Sequence, residues 1–278
     1  MFDQLLQNSL PTVATPRLLE LRKNISLEWQ DPTTVHQEFK AKAVEYFTGS
    51  KLNNLTGLDS FSVIETILGC NHTIDALVMQ HGIGGLQVFE HDYKYYQRLD
   101  PAIVYAVPGD LAPGWPILMA MPSPGYLAPH PQQQAILDEA LAKNCPVHLD
   151  CAWLGAARGI NFDFSHPAIA SVSMSLSKGM DMWWNRIGLR WTRIQDDKDP
   201  ITIYNKHNMI HISAIQIGLL YLQTIEPDHV WNYYADKYNS ICKQLRLRPT
   251  NIVHVMQSID RSCMYGTKNL LENYDAKR

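Results

Sequence analysis

The feature that most restricts what this chain can fold into is a change of hydrophobic rhythm near residue 61. Before it, residues 18–56 are polar and mostly helical in pattern, most clearly over 35–47. After it, short apolar runs alternate with helical stretches. Residues 86–89, 102–107 and 117–121 read as strands, the last closed by the breaker Pro122-Ser123-Pro124-Gly125. A helix is predicted over 132–143, with Ile136, Leu137, Ala140 and Leu141 as its apolar face. Further strands are predicted at 147–150, 168–174 and 187–192. Strands alternating with helices predict a largely parallel sheet covered on both faces. Ligands of such sheets bind beyond the carboxyl ends of the strands, and Ser123, Asp150 and Ser175 all fall at or just past such ends. After Pro200 the pattern turns helical, over 207–224 and 228–247, followed by one strand at 252–256 and a polar tail.

At 278 residues, one large α/β domain with a modest appendage fits best. A hydrophobic content of 46% with 18% charged residues is that of a soluble protein with a substantial core. The net charge of −3 argues against nucleic acid or an anionic membrane as partner. No stretch approaches the roughly 20 apolar residues of a membrane span, and Met1 to Pro11, which carries Asp3, lacks the pattern of a signal peptide. The five cysteines are odd in number and contain no C-x-x-C spacing. They predict reduced thiols in a cytoplasmic protein, with neither a disulfide frame nor a zinc site.

One lysine stands out. Ser173-Met174-Ser175-Leu176-Ser177-Lys178-Gly179 leaves an apolar strand for a turn of small residues, so Lys178 is confined and flanked by hydroxyls. Burial disfavours an ammonium ion, and the resulting neutral amine attacks carbonyls. Asp150 precedes Lys178 by 28 positions, and Arg186 follows it by eight. Singly, such residues are commonplace: a strand-end aspartate caps a turn and an arginine makes a surface ion pair. Their order gives them weight.

Ser175-Leu176-Ser177-Lys178 followed by Arg186-Ile187-Gly188 resembles the cofactor-lysine motif of class I/II aminotransferases, the fold-type I pyridoxal-phosphate enzymes. Asp150-Cys151-Ala152-Trp153 resembles the family's D-x-A-Y. Gly69-Cys70-Asn71-His72 occupies the place of its phosphate-binding turn at a helix start, and residues 88–96 resemble V-x-x-P-x-Y-P-x-Y. Pro122-Ser123-Pro124-Gly125 resembles a shortened N-P-x-N-P-T-G. The likeness runs in order from about residue 60 to 193.

The resemblance implies an α/β fold: a three-layer large domain with a mostly parallel sheet, plus a small C-terminal α/β domain. Residues 1–56 would be a helical segment packing with the small domain, 57–200 the cofactor-binding domain, and 201–278 a helical part with a shortened small domain. It implies pyridoxal 5'-phosphate held as a Schiff base on Lys178, which then serves as general base, with Asp150 on the pyridine nitrogen. Gly69, Cys70 and Asn71 at the helix start, with Ser175, Ser177 and Arg186, would hold the phosphate. Tyr93 or His91 would stack on the ring. The implied activity is transfer of an amino group from an amino donor to a keto acceptor, in a homodimer with sites near the subunit boundary. A lyase, a decarboxylase, a C–C condensing enzyme and a cofactor-binding protein without catalysis remain open on the same scaffold.

Three departures bear on function. Trp153 stands in place of the tyrosine, and Ser123 in place of the asparagine, that reach the cofactor's phenolic oxygen in the family; indole is a donor only, and serine is shorter. Only 78 residues follow Pro200, so the arginine that clamps the substrate carboxylate has a single weak candidate, Arg261.

Overall fold

In the computed structural model, residues 10–273 are described, so most of the segment read for a signal peptide, residues 1–9, lies outside the described residues. Helices α1 (Pro16–Lys23) and α2 (Pro32–Thr48) lead into strands β1 (Asn54–Thr56) and β2 (Val63–Ile67). The alternating part contains α3 (Cys70–His81), β3 (Gln87–Val88), α4 (Tyr95–Leu99), β4 (Val104–Tyr105), β5 (Ile117–Ala120) and α5 (Gln133–Ala142). It continues with β6 (Val147–Asp150), β7 (Asn161–Asp163), β8 (Ile169–Ser175), the single turn α6 (Leu176–Gly179) and β9 (Gly188–Thr192). The C-terminal part holds α7 (Pro200–Lys206), α8 (Ile212–Thr224), α9 (His229–Leu245), β10 (Arg248–Pro249), β11 (Val255–Gln257), β12 (Met264–Gly266) and α10 (Lys268–Asn273).

Seven strands form the central sheet in the order β2-β9-β8-β6-β5-β3-β4. Pairings from β4 through β8 are all parallel, whereas β9 runs antiparallel to both β8 and β2. The sheet is thus largely parallel, as expected, with one reversed strand near an edge. The run at 102–107 contributes only Val104 and Tyr105, both exposed on the outermost strand, where β3 alone holds them. Strand β2 was not expected, because Glu65 interrupts its apolar pattern. That carboxylate is buried and satisfied: it is paired with Arg190 of β9 and accepts from the Thr202 hydroxyl at 2.6 Å. Arg190 also reaches Asp199 at 2.6 Å, so the sheet edge is tied to the start of α7 by a closed network rather than by apolar packing.

The two sheet faces are covered differently. On one, α2 presents Val35, Phe39, Ala43 and Phe47, an apolar stripe at four-residue spacing. Phe47 meets Trp191 of β9 edge to face, with ring centroids 5.9 Å apart. Helix α8 packs on α2 so closely that a Cβ at Gly218 would lie 2.8 Å from the Phe39 ring. The opposite face takes α3 and α7: Ser173 donates to Thr73 at 2.8 Å, and Ile67 packs with Ala76 and Ile201. Helix, sheet and helix make the three layers.

The helix expected over 207–224 is shorter at its start, and a separate helix, α7, precedes it. The chain leaves α7 at Lys206, passes Asn208 in the left-handed region (φ 50°), and starts α8 at Ile212. Within the segment 1–56, residues 12–15 bond to the C-terminal part: Ala14 N–H to Glu272 at 2.7 Å, and Thr15 to His229 at 2.9 Å. Helix α2 lies between α8 of that part and strands β2 and β9 of the large sheet. The expected strand at 252–256 is β11, shifted to Val255–Gln257 in an antiparallel trio with β10 and β12. Among the described residues no helix is long and apolar enough to cross a membrane.

Candidate active site

Strands β5, β6 and β8 end together, and beyond their carboxyl ends lies a cleft of about 700 Å³. Asp150, the last residue of β6, forms part of its wall, is 5% exposed, and has both oxygens engaged: Oδ2 accepts from the Tyr96 hydroxyl at 2.9 Å and Oδ1 from the Ala152 N–H at 3.0 Å. Burial pushes its pKa up, and those hydrogen bonds pull the other way. Each oxygen keeps a lone pair for a further donor.

Lys178 reaches the same cleft from α6, the turn into which β8 runs. Burial and the nearby Arg186 lower its pKa, against the attraction of Asp181 and Asp150. Its Nζ lies 5.8 Å from the Trp153 ring centroid, so the indole offers the lysine its face. The backbone of Lys178 is pinned from behind. His254 bridges it to the N-terminal segment, with Nε2 3.0 Å from the Lys178 carbonyl oxygen and Nδ1 accepting from the Val13 N–H at 3.2 Å. Because Nδ1 accepts, Nε2 carries the proton.

The anion-binding end is built at the start of α3. Gly69 has φ +74° and no side chain caps the helix. A Cβ there would lie 2.6 Å from Nη2 of Arg186, so the guanidinium is laid against bare backbone. Arg186 donates to Ser177 Oγ at 3.0 Å and approaches Asn71 Oδ1 at 3.5 Å. Ser175 Oγ is buried without a hydrogen-bond partner. Uncapped helix N–H groups, a cation and an unpartnered hydroxyl together suit a phosphate. Cys70 and Asn71 line the cleft here, and the Cys70 thiol, buried beside Asp150, is held well above its ordinary pKa.

His91 and Tyr93 both line the cleft. Tyr93, 40% exposed, stacks on Tyr95 with centroids 5.9 Å apart and meets Tyr96 edge-on. Two residues lie elsewhere than the sequence reading put them. Ser123 is fully buried and outside the cleft wall, because its N–H pairs with Ala128 at 2.9 Å and turns the hydroxyl toward Asp92. Arg261 is not brought to the cleft: it sits exposed, at φ 64°, in the turn joining β11 to β12. The reading also passed over three residues that matter. Tyr96 and Asp92 stood inside the quoted 88–96 motif, and only the fold shows them meeting Asp150 and β5. His254 had no local signal, since its partners lie 76 and 241 positions away.

No family model matches the chain, and no curated protein matches it by sequence. Solved structures do resemble it. An aminotransferase from Mycobacterium tuberculosis superposes with a TM-score of 0.62 at 15% identity, over 88% of this chain and 73% of that one. An aspartate aminotransferase from Thermotoga maritima gives 0.61 at 13% identity, over 90% and 76%. A pyridoxal-phosphate-bound C–S lyase from Staphylococcus hominis gives 0.58 at 9% identity, over 87% and 73%. At these identities the likeness concerns architecture, and the architecture is the aminotransferase fold, fold-type I.

Proposed function

We propose that this chain is a pyridoxal-phosphate-dependent aminotransferase that moves an amino group from an amino donor to a keto acceptor. The observation that carries the reading is the convergence of Lys178, Asp150 and Arg186 on one cleft, with the uncapped start of α3 beside Arg186. The residues present fit the cofactor. The unpartnered Ser175 hydroxyl, Ser177, Arg186 and the backbone at Gly69 match its phosphate; Asp150 matches its ring nitrogen; Lys178 matches its aldehyde. When bound, the group draws electrons from the substrate's α-carbon into its protonated ring.

The chain's own residues do the rest. A buried carboxylate beside a cationic ring nitrogen is charge-compensated, which reverses the upward pull of burial on Asp150, and Tyr96 fixes its orientation. The lowering of the Lys178 pKa favours the neutral Nζ that would hold the cofactor's aldehyde carbon and that, when free, would take the substrate's α-proton and return it. Tyr93 and Trp153 wall the cleft with aromatic surface and limit water around that nitrogen. The aminotransferases among the similar structures support amino transfer; the C–S lyase shows that this architecture also carries lyase chemistry. We take the protein to be a cytoplasmic homodimer, a reading supported by its five free thiols, four of them buried, and by the fold.

The test is spectroscopic. The purified protein loaded with pyridoxal phosphate is expected to show a visible absorbance band that an amino donor abolishes and a keto acid restores. Lys178→Ala should lose the band. Release of carbon dioxide, or of ammonia with a keto acid, in place of that reversible exchange would contradict the transferase reading.

A further inference from the structure

Two cleft residues come from outside the large sheet, one from each end of the chain. Leu10, just before the segment 12–15, and Met264, in β12, both line it. They are held by bonds that converge on the turn carrying Lys178. Thr12 pairs with Asp181, the Val13 N–H donates to His254, and His254 in turn bonds the Lys178 carbonyl oxygen. On the C-terminal side, the Thr267 N–H donates to the His254 carbonyl oxygen at 3.1 Å, and Met264 pairs with Gln257 of β11. The Lys268 ammonium reaches the Thr12 carbonyl oxygen at 3.1 Å, which joins the two ends to each other. Trp153, whose ring centroid lies 5.8 Å from Lys178 Nζ, completes the group. All three side chains are half-buried, packed against the main core, and open on the cleft.

Among the described residues, the N-terminal segment and the C-terminal part bring no charged side chain to the cleft. Its unassigned charges, Glu90, Lys94 and Arg98, come from the loop after β3 and from α4 instead. Arg98 sits toward the phosphate end: burial and Asp150 raise the Tyr93 pKa, and Arg186 and Arg98 both act against them.

We propose that Leu10, Trp153 and Met264 form the side-chain subsite of the amino donor, and that the donor is an amino acid with an uncharged, apolar side chain. The proposal rests on the cofactor reading above. On that reading the phosphate belongs with Arg186 and α3, the ring nitrogen with Asp150 and the aldehyde carbon with Lys178. The donor's amine must reach that carbon, so its side chain lies next to Lys178, among groups tied to the same turn. An apolar side chain leaves water there for carbon and sulfur atoms already held in place, so little ordering is lost on contact. A second carboxylate, as in aspartate or glutamate, would give up its water and find no cation on this wall.

The experiment compares kcat/KM for leucine, methionine, aspartate and glutamate as donors to the loaded enzyme, in wild type, Met264→Ala, Met264→Leu and Leu10→Ala. In parallel, calorimetry measures binding of the amine-free analogues isocaproate and succinate. Wild type should prefer leucine to aspartate by about a hundredfold and should bind isocaproate more tightly than succinate. Met264→Ala and Leu10→Ala should each narrow the leucine preference about tenfold, and Met264→Leu should keep it. If Met264→Ala does not fold, Leu10→Ala and the wild-type comparison still decide. Succinate binding as tightly as isocaproate, a preference unmoved in either folded alanine variant, or a Met264→Leu loss as large as that of Met264→Ala overturns the proposal. A protein that shows no cofactor band, or that exchanges with no donor, overturns the aminotransferase reading and this proposal with it. Reversible exchange led by aspartate or glutamate overturns this proposal alone.

Discussion

At the scale of single residues, the phosphate end of the cleft turns on Gly69. Its φ of +74° and its contact with Arg186 are two separate reasons for having no side chain. Gly69→Ala is expected to destabilise the fold by about 1–3 kcal/mol, because φ +74° with ψ 169° is a backbone conformation that essentially only glycine adopts, measurable by chemical denaturation. Because the added Cβ must displace the guanidinium, it should also weaken cofactor binding by about tenfold. An alanine variant that loses stability but binds as well as wild type would detach Arg186 from the phosphate. Chemistry at this scale was legible where it is local: Ser175, Ser177, Lys178 and Arg186 fall within twelve consecutive residues and announce themselves by type and spacing. Tyr96 was legible as a letter of a motif but not as the partner of Asp150, because that contact spans 54 positions and depends on how the loop after β3 folds back.

At the scale of elements, the turn α6 is too short to hold Lys178 by itself and is pinned by its neighbours. His254 bonds the Lys178 carbonyl, and Asp181, buried and at φ 51°, pairs with Thr12 and Arg22 of the N-terminal part. Burial and the nearby Lys178 push the His254 pKa down to about 3, and burial does the same to His148 of β6. The sign follows from proton counting. Below pH 6.5 an unfolded chain takes up protons on these imidazoles that the folded chain refuses until about pH 3. Their contribution is therefore complete above pH 6.5 and is lost as the pH falls toward 3. His254→Gln should make the loss of stability across that window shallower, while costing about 1–3 kcal/mol at pH 7.5 through an imperfect bridge; urea denaturation at several pH values measures both. A slope equal to the parent's would remove His254 from the acid transition. None of this pinning was readable beforehand, since a lone histidine near the chain's end carries no sign of what it bridges.

At the scale of the whole molecule, the alternation of strands and helices was enough to predict a covered, mostly parallel sheet. It failed where buried charge replaced apolar pattern, as in β2 with Glu65, and where a strand has only one neighbour, as in β4. Helix α2 was legible as a helix, but its place on the large sheet was not, because an apolar stripe does not name the surface it covers. The architecture gathers an amine, a carboxylate and a guanidinium, far apart in sequence, at the ends of adjacent strands. The most direct measurement of that claim is chemical: load the protein with pyridoxal phosphate, reduce it with borohydride, digest it and locate the modified peptide by mass spectrometry. The account predicts one reduced cofactor per chain, on Lys178. Label spread over surface lysines such as Lys42 and Lys206, with none on Lys178, would contradict it.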